Sequence, residues 1–390
     1  MSNKKNIFTE KIELSEIVLN KTDQAFAMIR QEDSGHMKKA NAGEAGNKRL
    51  FKTQAAVIAG TCILSVSSIS VVAAIRHYWG RGMNGNIQAS DEQQQELLEK
   101  NIAKVYREEP ESPSLAVTDN GVTIVPDTVV VDERFAYMSF QISGYRVEDG
   151  MEPTFGEVNV YQGDDPEDVD SWVNMSGSMY DGTICNEEGC PVYEDGTPLK
   201  HDENGRLIQY YTDQDGNMEY IIQAYVVDPN DTLLGKTVHV RFQNLGTHSK
   251  REGFALAVEG DWNLEIVLPD VSSARDITVG QKVEGTNFTL ESISISPISM
   301  KVNYSVDAAP AKQGDDSGIP TVRGVVLKDG TRLPYLTDGG SLGYTDSSRS
   351  KAYHMAGYDR VIDVDEVAAL IIWTSWTANE DERMEIPIST

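Results

Sequence analysis

The sequence predicts a mainly β protein in which a single transmembrane helix is followed by two antiparallel β-sandwich domains. Two observations carry that prediction. Residues 53–75, "TQAAVIAGTCILSVSSISVVAAI", hold no charge in a chain that is otherwise polar and has a net charge of −27. From Leu115 onward, apolar residues recur at every second position in short runs. Asp-Gly, Asn-Gly and Pro-Asn-Asp pieces separate these runs, as expected for half-buried strands joined by tight turns.

The 23 residues between Lys52 and Arg76 would extend roughly 34 Å as a helix, enough to cross a hydrocarbon core of about 30 Å. Thr61, Ser65, Ser67, Ser68 and Ser70 interrupt the run, but each hydroxyl can bond back within its own turn. Two other readings compete. Lys48, Arg49 and Lys52 before the run and Val72-Ala73-Ala74 at its end imitate a signal peptide, yet a charged region of about 50 residues is too long for one. A buried core helix would need a large surrounding protein, which the preceding segment does not supply. Basic residues set the orientation: Lys38, Lys39, Lys48, Arg49 and Lys52 precede the span, and only Arg76 and Arg81 follow closely. The lipid bilayer is thus a partner, with the N-terminus cytoplasmic and the C-terminal region outside.

Charge follows the same division. Residues 1–75 carry ten Lys or Arg against seven Asp or Glu, a net of +3, so with the whole chain at −27 residues 76–390 carry −30. No nucleic acid is expected as a partner of the large part, because a binding site would need a basic footprint. Of three cysteines, Cys62 lies inside the span. Cys185 and Cys190 stand in "ICNEEGCPVY", outside the membrane in this topology, and read as a disulfide that staples a local hairpin. Closing so short a loop stabilises by roughly 2 kcal/mol on the chain-entropy estimate.

In the first 52 residues, Ile12, Ile17, Phe26 and Ile29 are spaced for one or two amphipathic turns. This segment is too short to bury a core alone. Ile17, Phe26 and Ile29 are therefore read as the face by which a cytoplasmic head, residues 1–52, binds a partner in the helix-in-groove manner. After the transmembrane helix at 53–75, residues 76–107 read as a juxtamembrane helix and linker, with Ser90 as N-cap and Leu97, Leu98, Ile102 and Val105 on one stripe.

Strand runs then follow: "VTIVPDTVVV" and "RFAYMSFQIS" around Asp132-Glu133-Arg134, then "EYIIQAYVVD", "TVHVRFQNL" and "WNLEIVLP". They define a first sandwich over 108–269, with a long acidic insert of hairpins or loops from about Gly163 to Gly216. A second sandwich over 270–390 contains "FTLESISISPISMKVNYSV", where Ser296-Pro297-Ile298 must be a bulge or an edge. It also contains a hairpin at Asp329-Gly330 and final strands "RVIDVD" and "VAALIIWTSWT".

The order "ASDEQQQELLEKNIAKVY", "SLAVTDNGVTIVPDTVVVDERFAYMSFQISGY", "GDWNLEIVLP" and "ESISISPISMKVNYSV" resembles a family of single-pass membrane proteins of unknown function from Gram-positive, clostridia-like bacteria. The resemblance implies an extracytoplasmic tandem of immunoglobulin-like sandwiches and a short cytoplasmic head. Members are similar to anti-sigma factors of the extracytoplasmic-function type, so the partner it implies for the head is a sigma factor.

A catalytic constellation is not legible. His36, His77, His201, His239, His248 and His354 show no zinc-clamp spacing. Ser348 to Lys351 satisfies S-x-x-K without that motif's partner motifs. Asp213, Asp215 and Asn217 alternate as in a calcium loop, but Met218 and Ala224 stand where that loop needs Gly and Glu, so a hairpin turn is the expectation. No cofactor, metal site or enzymatic activity is expected. The function read from the sequence is a membrane-anchored, anti-sigma-like extracytoplasmic sensor. The alternative is a surface-anchored binding or adhesion module with an unknown extracellular ligand.

Overall fold

In the computed structural model, which describes residues 79–106, 115–148, 150–226, 228–249, 253–307, 316, 318–375 and 383–388, the period-two runs pair into antiparallel sheets. The described residues belong to one unit, Tyr78–Thr390. Ile17, Phe26, Ile29 and the apolar stretch at 53–75 lie outside the described residues. Among the described residues no helix is long and apolar enough to cross a membrane.

The first set of sheets follows a short helical entry, α1 (Arg81–Asn86) and α2 (Asp91–Glu99). One sheet runs β1 (Ala103–Val105), β3 (Val122–Val131), β4 (Phe135–Ser143), β9 (Met218–Tyr225) and β6 (Asn174–Met179), with β2 (Val117–Asp119) added to β3. The other runs β11 (Gly253–Val267), β10 (Thr237–Ser249) and β5 (Glu152–Tyr161).

The two sheets share one core, because each strand turns its apolar positions inward. Val238, Val240, Phe242 and Leu245 on β10 and Trp262, Leu264 and Ile266 on β11 are buried, and the residues between the last three are exposed. Phe242 meets Phe140 of the facing sheet edge-on at 5.1 Å, and Trp262 Nε1 donates across the core to the Val122 carbonyl at 3.0 Å. The register breaks between Gln243 and Leu245, where Asn244 adopts φ 57, a bulge that restores the inward face after an odd residue.

The second set packs the sheet β12 (Arg275–Lys282), β13 (Phe288–Ile295), β14 (Ser299–Val306), β18 (Lys351–Tyr358), β17 (Thr337–Tyr344) on the sheet β16 (Arg332–Leu333), β15 (Thr321–Leu327), β19 (Val367–Trp373), β20 (Arg383–Pro387). A separate core fills it, including Leu290, Ile293, Val302, Val325, Leu370 and Ile372. The remaining pair, β7 (Thr183–Cys185) and β8 (Pro191–Tyr193), is a small hairpin in the acidic insert.

Three readings of the sequence are corrected. The segment 76–107 is not a linker over its described part: Trp79, Met83, Ile87, Leu97, Ile102 and Tyr106 sit in the first core, and β1 pairs with β3. Ser90 does cap α2, in a capping box with Gln93. The helix stops at Glu99, however, and Asn101 turns the chain at φ 55, so Ile102, just before β1, and Val105, on it, are buried outside any helical stripe. Ser296-Pro297-Ile298 is a turn, not a bulge or an edge, and β13 and β14 pair across it as a hairpin. "RVIDVD" is no strand but a loop leading into a 3-10 turn at Val364–Glu366, which Asp363 caps.

The two cores meet. Ile298, Tyr353 and Met355 of the second set pack into the first core. Tyr137 Oη donates to the Tyr358 carbonyl at 2.8 Å, and Gln223 Nε2 donates to Tyr137 Oη and the Asp338 carbonyl, each at 2.9 Å. Lys301 Nζ donates to the Pro229 carbonyl at 2.8 Å.

Candidate functional site

The acidic insert is built from turns that consume their own polar groups. Asn186 Oδ1 accepts from the N–H of Glu188 and Cys190 at 3.1 and 2.8 Å. Asp202 Oδ1 does the same for Asn204 and Arg206, both at 2.8 Å, and Asp213 Oδ1 for Asp215 and Asn217 at 2.9 and 2.8 Å. Each side chain thus closes its own turn. The backbone N–H of Arg206 is the main reason the Asp202 carboxyl is held below its ordinary range. The alternation of Asp213, Asp215 and Asn217 is accordingly a hairpin turn. Among the described residues no group of three or more His, Cys, Asp or Glu is arranged to hold a metal ion.

Cys185 and Cys190 flank the Asn186 turn at the end of the β7–β8 hairpin, and both are free, exposed thiols in the structure. The turn between them is closed by Asn186 N–H on the Cys190 carbonyl at 2.9 Å. Ser348 is likewise a turn residue: with Ser350 it donates to the Asp346 carboxylate, whose pKa those hydroxyls pull down to about 2.

Where the insert meets the helical entry and the loop after β18, a cleft of about 570 Å³ opens. Arg81, Asn84, Gln88, Tyr180, Glu194 and Arg360 dominate its wall. Three glycines of "GRGMNG" place Arg81. A Cβ on Gly80 or Gly82 would lie 2.4 Å from Asp127 Oδ2 or 2.8 Å from Glu219 Oε2, and one on Gly85 only 2.2 Å from the Tyr180 ring. Glycine there lets α1 lie directly on its neighbours, and Gly82 N–H donates to Glu219 Oε2 at 2.7 Å.

The Arg81 guanidinium then lies 4.9 Å from the centre of the Tyr180 ring. Its Nε reaches both Glu194 carboxylate oxygens at 3.0 and 2.8 Å, and its Nη2 donates to the Tyr210 carbonyl at 2.7 Å. Tyr180 Oη donates to Glu194 Oε2 at 3.1 Å, and burial together with the Glu194 charge pushes the phenol far above its ordinary range.

The opposite wall belongs to Gln88 and Arg360. Gln88 N–H donates to the Asp359 carbonyl at 2.8 Å and the Gln88 carbonyl accepts from Val361 N–H at 2.7 Å, which makes a two-bond bridge from the entry segment to the second set of sheets. Gln88 Nε2 and Arg360 Nη2 both donate to the Cys185 carbonyl, at 2.6 and 3.3 Å, and Arg360 Nε pairs with Asp359 Oδ1 at 2.9 Å. Burial nonetheless raises the Asp359 pKa.

Each cleft guanidinium therefore carries its own carboxylate, and Ser90 and Gln93 are engaged in the helix cap. A wall of paired charges and amides suits a neutral ligand rich in hydrogen-bonding groups better than an ion. The sequence did not single out Arg81, Tyr180, Glu194 or Arg360. Their separation along the chain hides them, and the glycine spacing around Arg81 is the one local sign that a backbone there must approach something closely.

No family model and no curated protein matches the chain. Several solved structures align in part. A conserved domain protein from Bacillus anthracis is 15% identical over 66% of this chain and 74% of its own, with a TM-score of 0.36. The CupB6 tip adhesin from Pseudomonas aeruginosa is 13% identical over 73% of this chain and 94% of its own, with a TM-score of 0.15. The fold is accordingly taken from the sheets themselves.

Proposed function

We propose that this chain is a membrane-anchored, non-enzymatic extracytoplasmic sensor. In this reading residues 53–75 are its transmembrane helix, its sandwiches are immunoglobulin-like, and its head, through Ile17, Phe26 and Ile29, holds a sigma factor. The observation that supports it is the Gln88 bridge. The segment that follows the apolar stretch is not a loose tether but forms one wall of the cleft, bonded through Gln88 to Asp359 and Val361. A ligand seated in the cleft would press on residues about a dozen positions from the end of that stretch, and a sensor needs such a mechanical route.

The test keeps the chain whole. Full-length protein carrying a C-terminal tag is expressed in a Gram-positive host, crosslinked in intact cells and purified, and its partners are identified by mass spectrometry. A sigma factor is expected with the unaltered chain and not with the Ile17→Asp, Phe26→Asp double variant, while both are displayed equally at the surface. Equal display with no cytoplasmic partner for either chain would overturn the regulatory reading and leave a surface-anchored binding module.

A further inference from the structure

The second set of sheets forms a cavity of about 450 Å³, open to solvent on one side, between β15 and the pair β17 and β18. That volume lies in the range of small-molecule pockets, about 300–1,000 Å³. Its polar wall is made by Arg323 and His354, and Leu342 and Ala356 supply apolar surface. The consecutive glycines Gly339 and Gly340, at φ 70 and 135, leave one stretch of wall without side chains. A Cβ on Gly340 would lie 2.1 Å from the Met355 carbonyl oxygen, so the wall cannot acquire a side chain there without parting β17 from β18.

His354 is 6% exposed, and its Nδ1 accepts the Val322 N–H at 3.3 Å. That bond fixes the tautomer: the ring proton is on Nε2, the nitrogen left for the cavity. Burial, reinforced by the Arg323 charge, holds the His354 pKa at about 3, so the ring stays a neutral donor at physiological pH. Arg323 follows Val322 on β15, and its guanidinium lies 5.1 Å from the centre of the Trp373 ring. Burial depresses its pKa, as expected of a cation partly stripped of water. A guanidinium has five N–H donors in a fork matched to a planar carboxylate, more than one partner uses. Asp316 borders the same cavity, 3.8 Å from Arg349. Thr337 Oγ1 already donates to the Val322 carbonyl at 3.1 Å, so it adds no further donor.

We propose that this cavity binds a small organic carboxylate, with the carboxylate forked on Arg323, His354 Nε2–H as the second donor, and the apolar body against Leu342 and Ala356. With the Asp316 carboxylate offset by Arg349, 3.8 Å away, one cation, one neutral donor and apolar surface suit a singly charged acid with a short hydrocarbon body. A compact polyanion such as phosphate would need more cations than the wall supplies. This site is separate from the cleft at Arg81, and its test does not depend on the sensor reading.

The purified full-length chain is titrated at neutral pH and constant ionic strength with butyrate, butyramide and inorganic phosphate. Tryptophan fluorescence and the Nε2 resonance of His354 report binding. Saturable binding of butyrate is expected, with butyramide and phosphate at least about tenfold weaker. Arg323→Gln should weaken butyrate by a similar factor, and Arg323→Lys by less. Leu342→Trp, which fills the cavity and leaves both donor groups in the chain, should abolish binding with the thermal midpoint preserved. Should Arg323→Gln fail to fold, the Leu342→Trp and butyramide comparisons decide. Absence of saturation by butyrate, equal affinity for butyramide, tighter binding of phosphate, or unchanged binding in Leu342→Trp would each overturn the assignment.

Discussion

Ser296 Oγ donates to Asp132 Oδ2 at 2.5 Å and ties the β13–β14 turn of the second set of sheets to the β3–β4 turn of the first. Asp132 is 1% exposed, and its carboxylate is fully employed. Oδ1 accepts the N–H groups of Arg134 and Phe135, both at 2.8 Å, and Ser299 Oγ joins Ser296 on Oδ2. The side chain that shapes one turn therefore also seats the other.

Replacing Asp132 by Ala leaves two buried N–H groups and two hydroxyls without their acceptor, and should cost about 3 kcal/mol in urea unfolding of the full-length chain. Asp132→Asn keeps one acceptor oxygen and should cost about 1 kcal/mol at neutral pH. The sign of the pH effect separates charge from shape. Burial raises the folded Asp132 pKa above its ordinary 3.8, so its stabilising contribution is present below that value and is lost as pH rises through the folded pKa. The unaltered chain should lose ground against Asp132→Asn as pH rises from 3.8, and parallel stability curves would refute this account.

The same junction depends on Gly357. A Cβ there would lie 2.3 Å from Tyr137 Oη and 2.6 Å from Gln223 Nε2, the pair that bonds Tyr358 and Asp338 across the junction. Gly357→Ala should destabilise by about 1–3 kcal/mol through overpacking. It should also increase proteolysis between the two sets of sheets, whereas a methyl accommodated without loss would show neither change.

Legibility in the sequence followed the strength of each local signal. β10, with Val238, Val240 and Phe242 in strict alternation, and β19, with its continuous apolar run, could be read directly because burial pattern and sequence pattern coincide. β17, "TDGGSLGY", and β18, "KAYHMAGY", could not, because glycines and alanines replace the β-branched residues that signal a strand. β1 spans three residues, too few to set a period against the helix before it. The Asp213 turn was legible because Asx-Gly chemistry is local. The cleft was not, since pairing Arg81 with Glu194 or Gln88 with Asp359 and Val361 requires knowing which strands are neighbours.

Arg81 and Glu194 are partly exposed, so the ion pair itself contributes at most about 1 kcal/mol. Its structural effect is larger than its energy, because Arg81 also holds the Tyr210 carbonyl and lies over Tyr180. Arg81→Gln should leave the thermal midpoint nearly unchanged while amide exchange accelerates in residues 180–210. Unchanged exchange there would mean that the insert is held by its own turns alone.

The thiols report topology. Cys185 and Cys190 lie at one end of a single hairpin, close enough in sequence to form a bond in an oxidising compartment. With the large part outside the membrane, alkylation of intact cells before reduction should label neither cysteine, and labelling after reduction should reveal both by peptide mass spectrometry. Labelling of both before reduction would place the hairpin in a reducing compartment and reverse the orientation read from the flanking basic residues.

His354 gives the chain an acid-sensitive element. Its pKa is depressed from 6.5 to about 3 by burial and by the Arg323 charge, so the unfolded chain takes up a proton that the folded chain refuses. The stabilising contribution is therefore complete above pH 6.5 and is lost as pH falls towards 3. At the usual 1.36 kcal/mol per unit, about two units of acidification below the ordinary histidine value should cost the unaltered chain roughly 2–3 kcal/mol more than His354→Gln. Gln can accept the Val322 N–H in place of Nδ1 and does not titrate, so the comparison isolates the proton from the packing. Urea unfolding of both chains at neutral pH and at pH about 4.5 measures the difference. Equal losses would show that the imidazole takes up its proton in the folded state as readily as in the unfolded chain.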